Sequence, residues 1–293
     1  MSELTMGVVG GLGSAITWAA ISILVQALSA RLTPAGINAF RSTVGGLLVL
    51  AGAVVTGHGG EIVRVPLWAA LTLWLSVIIG YAGGDTLFFV GMQHLGVTRA
   101  HTLSMVHPLL STIVGVVLLG EVMTVPRAIG ILLVVGGITL IVTGRGEVAG
   151  ERPGARRKGI RLVLAAAVAW SLAAVLLKAP LRVVSATAAT AVRNPMAGLV
   201  LWLTPWARGT ARAVLESRGL DAGRLAAVCL LSAVSPLLFT AGIKYGGVSV
   251  GTVLAATSPL FTIPLEILVL GRRPTRRTVL GAVTTVLGIA LMN

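Results

Sequence analysis

Long apolar runs alternate with short stretches rich in Gly, Pro and charge along the whole chain. The runs fall at Met6–Leu28, Pro34–Thr56, Pro66–His94, Thr98–Leu119, Val125–Thr143, Gly159–Ala179, Ser185–Trp206, Ala222–Tyr245, Ser249–Leu270 and Thr275–Met292. A helix of roughly 20 apolar residues crosses a bilayer. Within lipid, only helices and closed barrels satisfy their own backbones. Barrel strands would be about ten residues long and would alternate apolar with polar positions; these runs do neither. The pattern predicts an all-α integral membrane protein of ten transmembrane helices, with no chain left over for a soluble catalytic domain.

The longest polar stretch, residues 145–158, is basic, contains Gly146, Gly150, Pro153 and Gly154, and divides the chain almost in half. It reads as a linker between units 1–144 and 159–293. Shifting the first unit by 151 residues places Gly91 on Gly242, Gly96-Val97 on Gly247-Val248, Pro108-Leu109 on Pro259-Leu260, Gly130 on Gly281 and Gly137-Ile138 on Gly288-Ile289. A shift of 152 pairs Trp18 with Trp170, Arg41 with Arg193 and Gly46-Leu47 with Gly198-Leu199. Gly and Leu coincide readily in such a composition, whereas Trp, Arg and Pro matching in order do not. Two five-helix repeats follow. Because five is odd, the second must enter the membrane from the opposite side, as an inverted repeat around a midplane site.

Composition narrows the function. Hydrophobic residues make up 56% of the chain and charged residues 11%, against about 25% charged in soluble proteins. The net charge of +14 is spread through short segments between apolar runs, with no basic stripe or motif for nucleic acid. Sixteen Lys and Arg lie in loops on the side away from the termini and five on the terminal side. The positive-inside rule would then put both termini outside the cytoplasm. Cys229 is the only cysteine, which rules out an intrachain disulfide and a cysteine metal cluster. Met1–Met6 carries no Lys or Arg, so the first run is expected to be a retained span and not a cleaved signal. Gly10, Gly11 and Gly13 sit inside a span, where they serve helix packing. With no Gly-x-x-x-x-Gly-Lys loop, ATP drive by this chain is not expected.

The stretch Gly84–Glu121, GDTLFFVGMQHLGVTRAHTLSMVHPLLSTIVGVVLLGE, resembles the signature of EamA-type proteins of the drug/metabolite transporter superfamily. The Gly-Asp pair, the Gly-x-Thr-Arg-Ala helix start, the mid-helix Pro108 and the closing Leu-Gly-Glu carry the likeness. It extends over nearly the whole chain as two EamA-like units. It implies ten helices, a central cavity between the halves, and movement of small metabolites; members are usually drawn with both termini inside. The second copy departs from the pattern, with Arg272-Arg273 after Gly271 and the acid displaced to Glu266.

Several polar residues lie inside spans, where a charge is costly and usually faces the bundle interior. Asp85 stands about as far before the turn near Leu95-Gly96 as His107 stands after it, so an Asp85–His107 contact would fit either proton coupling or ammonium binding. A structural contact locking the hairpin, through Arg99, is the plain alternative. His101 and His107 lie six apart on one helix and so do not share a face. Arg41 and Arg193 occupy matched places; snorkelling to the interface is the commoner outcome for such residues, and a cavity-facing cation that binds a carboxylate or pairs with Asp85 or Glu266 is the other. Glu266, near a helix end, is expected at the interface. Pro108 and Pro259 fall near the middle of spans four and nine, as helix breaks beside a cavity. Trp18 and Trp170 are matched mid-span and could line the cavity.

The reading is a secondary transporter of the cell membrane. It would move small metabolites, amino-acid-like compounds or drugs by alternating access, most simply as an exporter. A small-molecule substrate, the lipid bilayer and a proton as coupling ion are its expected partners. No cofactor, metal, enzymatic activity or nucleic-acid partner is expected. The alternatives left open are a lipid-modifying membrane enzyme, which would need a clustered acid, base, metal or nucleophile, and a non-catalytic lipid-scrambling or assembly component.

Overall fold

The computed structural model describes residues 3–107, 110, 124–143, 153–271 and 274–291. The described residues are overwhelmingly helical. In the first half the helices are α1 (Glu3–Leu28), α2 (Pro34–Val55), the short α3 (Gly59–Val63), α4 (Leu67–Val77), a π-helical segment (Ile78–Asp85), α5 (Thr86–Leu95), α6 (Val97–Ser104) and α7 (Val125–Thr143). The second half has α8 (Pro153–Lys178), α9 (Ala186–Trp202), the short α10 (Thr210–Leu215), α11 (Leu220–Ala255), α12 (Ser258–Leu270) and α13 (Arg276–Leu291). Among the described residues, five stretches are long and apolar enough to cross a membrane: Thr5–Leu28, Pro34–Val55, Leu67–Leu95, Gly154–Arg182 and Leu220–Tyr245. This is a multi-pass helical membrane protein.

Local chemistry fixes many of the ends. Thr33 caps α2 by accepting from the Gly36 amide at 3.1 Å, with Pro34 opening the helix. Ser185, at the matching place, caps α9 through the Ala188 amide, also at 3.1 Å. Each cap satisfies a donor that a helix start leaves unpaired. Inside the helices, hydroxyls are returned to the preceding turn: Thr43 donates to Ala39, Thr190 to Ala186 and Thr285 to Gly281. Polar side chains are thereby kept satisfied within an apolar bundle. Gly96, at φ +82°, makes the tight turn between α5 and α6, a backbone region that glycine adopts without steric cost.

Tertiary packing runs between the halves. α1 lies along α11 while α8 lies along the π segment and α5; α2 crosses α9, α7 crosses α13, and α6 meets α12. Exchanging the two halves turns the first pair into the second and each of the others into itself. The closest crossings repeat the relation residue by residue. A β carbon at Gly137 would sit 2.6 Å from the Gly281 carbonyl oxygen, and one at Gly288 would sit 2.6 Å from that of Gly130. One at Gly46 would fall 2.7 Å from the Pro195 nitrogen, and one at Gly198 would fall 2.8 Å from the Thr43 nitrogen. Gly242 abuts Gly10 and Gly11, as Gly91 abuts Leu162 and Val163. Missing β carbons let the backbones approach to contact, the usual device for joining helices where lipid offers no hydrophobic drive.

The expected helix boundaries shift in places: α8 begins at Pro153, inside the stretch read as a linker to residue 158, and α11 runs past Tyr245. The expected spans end at Tyr245 and resume at Ser249, yet α11 runs unbroken to Ala255 and turns at Ala256-Thr257. Glycine permits a turn without requiring one, and here the helix continues through Gly246-Gly247. Most of the expected span Thr98–Leu119 lies outside the described residues.

Candidate functional site

A cavity of about 130 Å³ lies between the halves, walled by α1, α2, the π segment and residues 105–107 on one side and by α8, α9, α11 and the start of α12 on the other. Since one water needs roughly 10–15 Å³ measured this way, the space holds a small solute or a cluster of about ten waters. Its wall is largely apolar, as ligand sites generally are.

The π segment brings the first half's polar groups to this wall. Bonding i to i+5 widens the helix, and such insertions concentrate at functional sites. The residues are IIGYAGGD; Gly80 packs on Ala173 and Gly84 on Trp170, where β carbons would come within 2.8 and 2.7 Å. Asn38 donates from Nδ2 to the Tyr81 carbonyl at 2.8 Å and to Thr86 Oγ1 at 2.9 Å, anchoring the distorted stretch to α2. Tyr81 and Asp85 thus both reach the cavity.

Asp85 is buried and forms an ion pair with Arg41 through Oδ2, while Oδ1 accepts from the Trp170 indole at 2.9 Å. Arg41 also donates to Ser232 Oγ at 3.1 Å and lies over the rings of Trp18 and Phe89 at 5.6 and 5.0 Å. One carboxylate therefore joins α2, the π segment and α8. Arg193, on α9, lies 4.9 Å over the Tyr81 ring. Its Nε and Nη1 are buried and make no hydrogen bond.

These positions correct the snorkelling expectation. Arg41 is 3% exposed and Arg193 2%, and both face the cavity. Glu266, expected at the interface, is likewise 3% exposed. Its carboxylate accepts from the Thr98 hydroxyl at 2.6 Å and the Thr98 amide at 3.2 Å, so it caps α6 from the opposite half. A negative charge is favoured at a helix N-terminus.

Asp85 and His107 both line the cavity, and Trp170 touches each, hydrogen bonded to the first and edge-on to the second with ring centres 6.3 Å apart. His107 Nδ1 lies 3.1 Å from the Ser104 carbonyl. Trp18 and Trp170 meet edge-to-face at 5.7 Å in the cavity wall. Pro259 stands in the first turn of α12, after the break at Ala256-Thr257, and Pro108 lies outside the described residues.

Sequence reasoning missed three participants. His101 is fully buried between Ser22 Oγ at 2.8 Å and Ser258 Oγ at 3.0 Å, tying α1, α6 and α12 together. Ser235 and Pro236 line the cavity from α11. The 151-residue shift that matched Gly91 with Gly242 pairs Asp85 with Pro236, and that pairing was the available signal.

Residues 5–143 and 157–293 each match the EamA-like transporter family. An uncharacterized transporter of Archaeoglobus fulgidus is 27% identical over 139 residues. That alignment covers 47% of this chain and 48% of the relative, about half the length of each. A solved crystal structure superposes on 100% of this chain and 98% of its own with a TM-score of 0.71 at 19% identity, a likeness that speaks to the fold.

Proposed function

Because the chain belongs to the EamA-like transporter family, we propose that it is a secondary transporter of the cell membrane, moving small metabolites, amino-acid-like compounds or drugs outward by alternating access. The observation that carries this reading is a largely apolar cavity between two halves, to which each half contributes a matched tryptophan and arginine. In this reading the chain crosses the membrane ten times, five per half in opposite senses. Each half rocks against the other around crossings such as Gly46–Pro195 and Gly198–Thr43, where close backbone contact is compatible with a pivot. Trp18 and Trp170 bound the substrate, and Asp85 is the coupling group, held ready by Arg41 and Trp170. The carboxylate sits where occupancy and protonation both reach it.

The test is flux in proteoliposomes loaded with isotope-labelled amino acids and aromatic acids, under an imposed pH gradient. Wild-type protein is expected to release label at least tenfold faster than protein-free vesicles, and Asp85→Asn, confirmed as folded, is expected to lose that excess. Normal flux through Asp85→Asn removes the carboxylate from the mechanism, and no flux of any compound through wild type removes the transport reading.

A further inference from the structure

The Arg41 environment and its counterpart across the repeat can be compared residue by residue. Arg41 is surrounded by Asp85, Trp170 and Ser232. The repeat shifts carry Arg41 to Arg193, Trp170 to Trp18, Ser232 to Tyr81 and Asp85 to Pro236. All four counterparts line the same cavity, and the Arg193–Tyr81 contact reproduces the Arg41–Ser232 contact with the halves exchanged. The Phe89 ring beside Arg41 has Thr240 in its place, and the carboxylate has no equivalent. Where the first half supplies a carboxylate, the second supplies a proline.

Arg193 is consequently a fully buried guanidinium with no anionic partner among the described residues, and two of its nitrogens donate to nothing. Of the charged groups that line the cavity, Asp85 balances one of the two arginines, leaving a single positive charge. A guanidinium does not shed its proton, and an isolated charge in so apolar a setting is strongly unfavourable without a partner. Tyr81 and Ser235, two residues with hydroxyl groups, also line this space. The rest of the wall here is apolar, with Trp18 and Phe239 prominent.

We propose that the cavity binds a small organic anion whose carboxylate pairs with Arg193 in the place that Asp85 holds toward Arg41, with its apolar body against Trp18 and Phe239. Tyr81 and Ser235 donate to the remaining carboxylate lone pairs, a planar match that arginine serves well. The inference rests on the transport reading for its biological sense, since it names the substrate class of that site, but its test needs no flux.

The experiment is equilibrium binding of carbon-14 benzoate to the purified full-length protein in detergent, with benzamide, benzylamine and sodium chloride as competitors. Benzoate is expected to bind saturably and to be displaced by unlabelled benzoate, with each of the three competitors at least tenfold weaker. Arg193→Gln is expected to weaken binding at least tenfold without lowering the melting temperature, because Arg193 forms no ion pair with a described residue. Pro236→Asp supplies the missing carboxylate from within the chain and restores a helix amide, and it is expected to abolish benzoate binding in a folded protein. Equal competition by benzamide, benzylamine or chloride overturns the proposal, as does wild-type affinity in either variant. If Arg193→Gln fails to fold, Pro236→Asp decides. Arg193-dependent binding without flux sinks the transport reading alone, and flux of other compounds without it sinks the anion alone.

Discussion

Arg41 and Arg193 are the same residue in two copies of one unit, equally buried and facing one cavity, yet one is held by a carboxylate, an indole-linked network and a hydroxyl while the other has only the face of a tyrosine. The difference separates structure from readiness. Around Arg41 an ion pair and a hydroxyl hold two of the three guanidinium nitrogens, with only Nε unpaired, and fasten neighbouring helices together. Around Arg193 the same scaffold is left incomplete, and an incomplete buried site is one that a solute can complete. The two halves supply matched frames, and they differ in having Asp85 in one and Pro236 at the equivalent place in the other.

The largest effect should come from breaking the satisfied frame. Asp85→Ala leaves Arg41 buried without its anion and is expected to lower stability by roughly 3–5 kcal/mol, read as the melting temperature in detergent; Arg193→Gln should show no such loss. Adding Arg41→Gln to Asp85→Ala should recover much of the deficit, because the charge then disappears from both sides of the pair. If the two single variants melt alike, the frames are not different in kind. Ser232→Ala sharpens the comparison at smaller scale. It removes one hydrogen bond to the Arg41 guanidinium and should cost about 1.5–3 kcal/mol, visible as a lower melting midpoint with the Arg193 region unchanged.

How much of this was legible beforehand depended on range. The two halves, their matched Trp and Arg, and Asp85 as an unusual intramembrane acid could be read directly, because repeats and buried charge leave a mark on sequence. The burial of Arg41 could not, since it depends on a carboxylate 44 residues away reached through a widened turn. A π segment differs from α periodicity by too little over eight residues to be seen. Glu266 looked interfacial because it lies near a helix end; it is buried because α6 brings the amide of Thr98 to it from 168 residues away. The helix through Gly246-Gly247 shows the opposite error, a local signal for a break that the helix does not take.

The smallest effect concerns the caps of α2 and α9. Thr33 caps unaided among carboxylates, but Ser185 is itself gripped by Glu61, which accepts from its amide and hydroxyl at 2.5 and 2.6 Å. Partial burial pushes the Glu61 carboxyl up, and the hydrogen bonds from Ser185, with His58 and Lys244 nearby, outweigh that and hold it below its ordinary value of 4.5. A lowered folded-state pKa means the contribution is fully present above the unfolded value and fades as pH falls through the folded one. A modest drop in melting temperature below about pH 4.5 is therefore expected in wild type. Glu61→Gln should flatten that drop, and an unchanged profile would detach Glu61 from the α9 start.

The reciprocal glycine crossings carry one more consequence. Where Gly46 meets Pro195 and Gly198 meets Thr43, each half presents both surfaces of a self-complementary joint, the arrangement found between identical subunits of a dimer. Seen this way, the polypeptide is an isologous pair fused end to end. The mating faces of both partners are already written into each half.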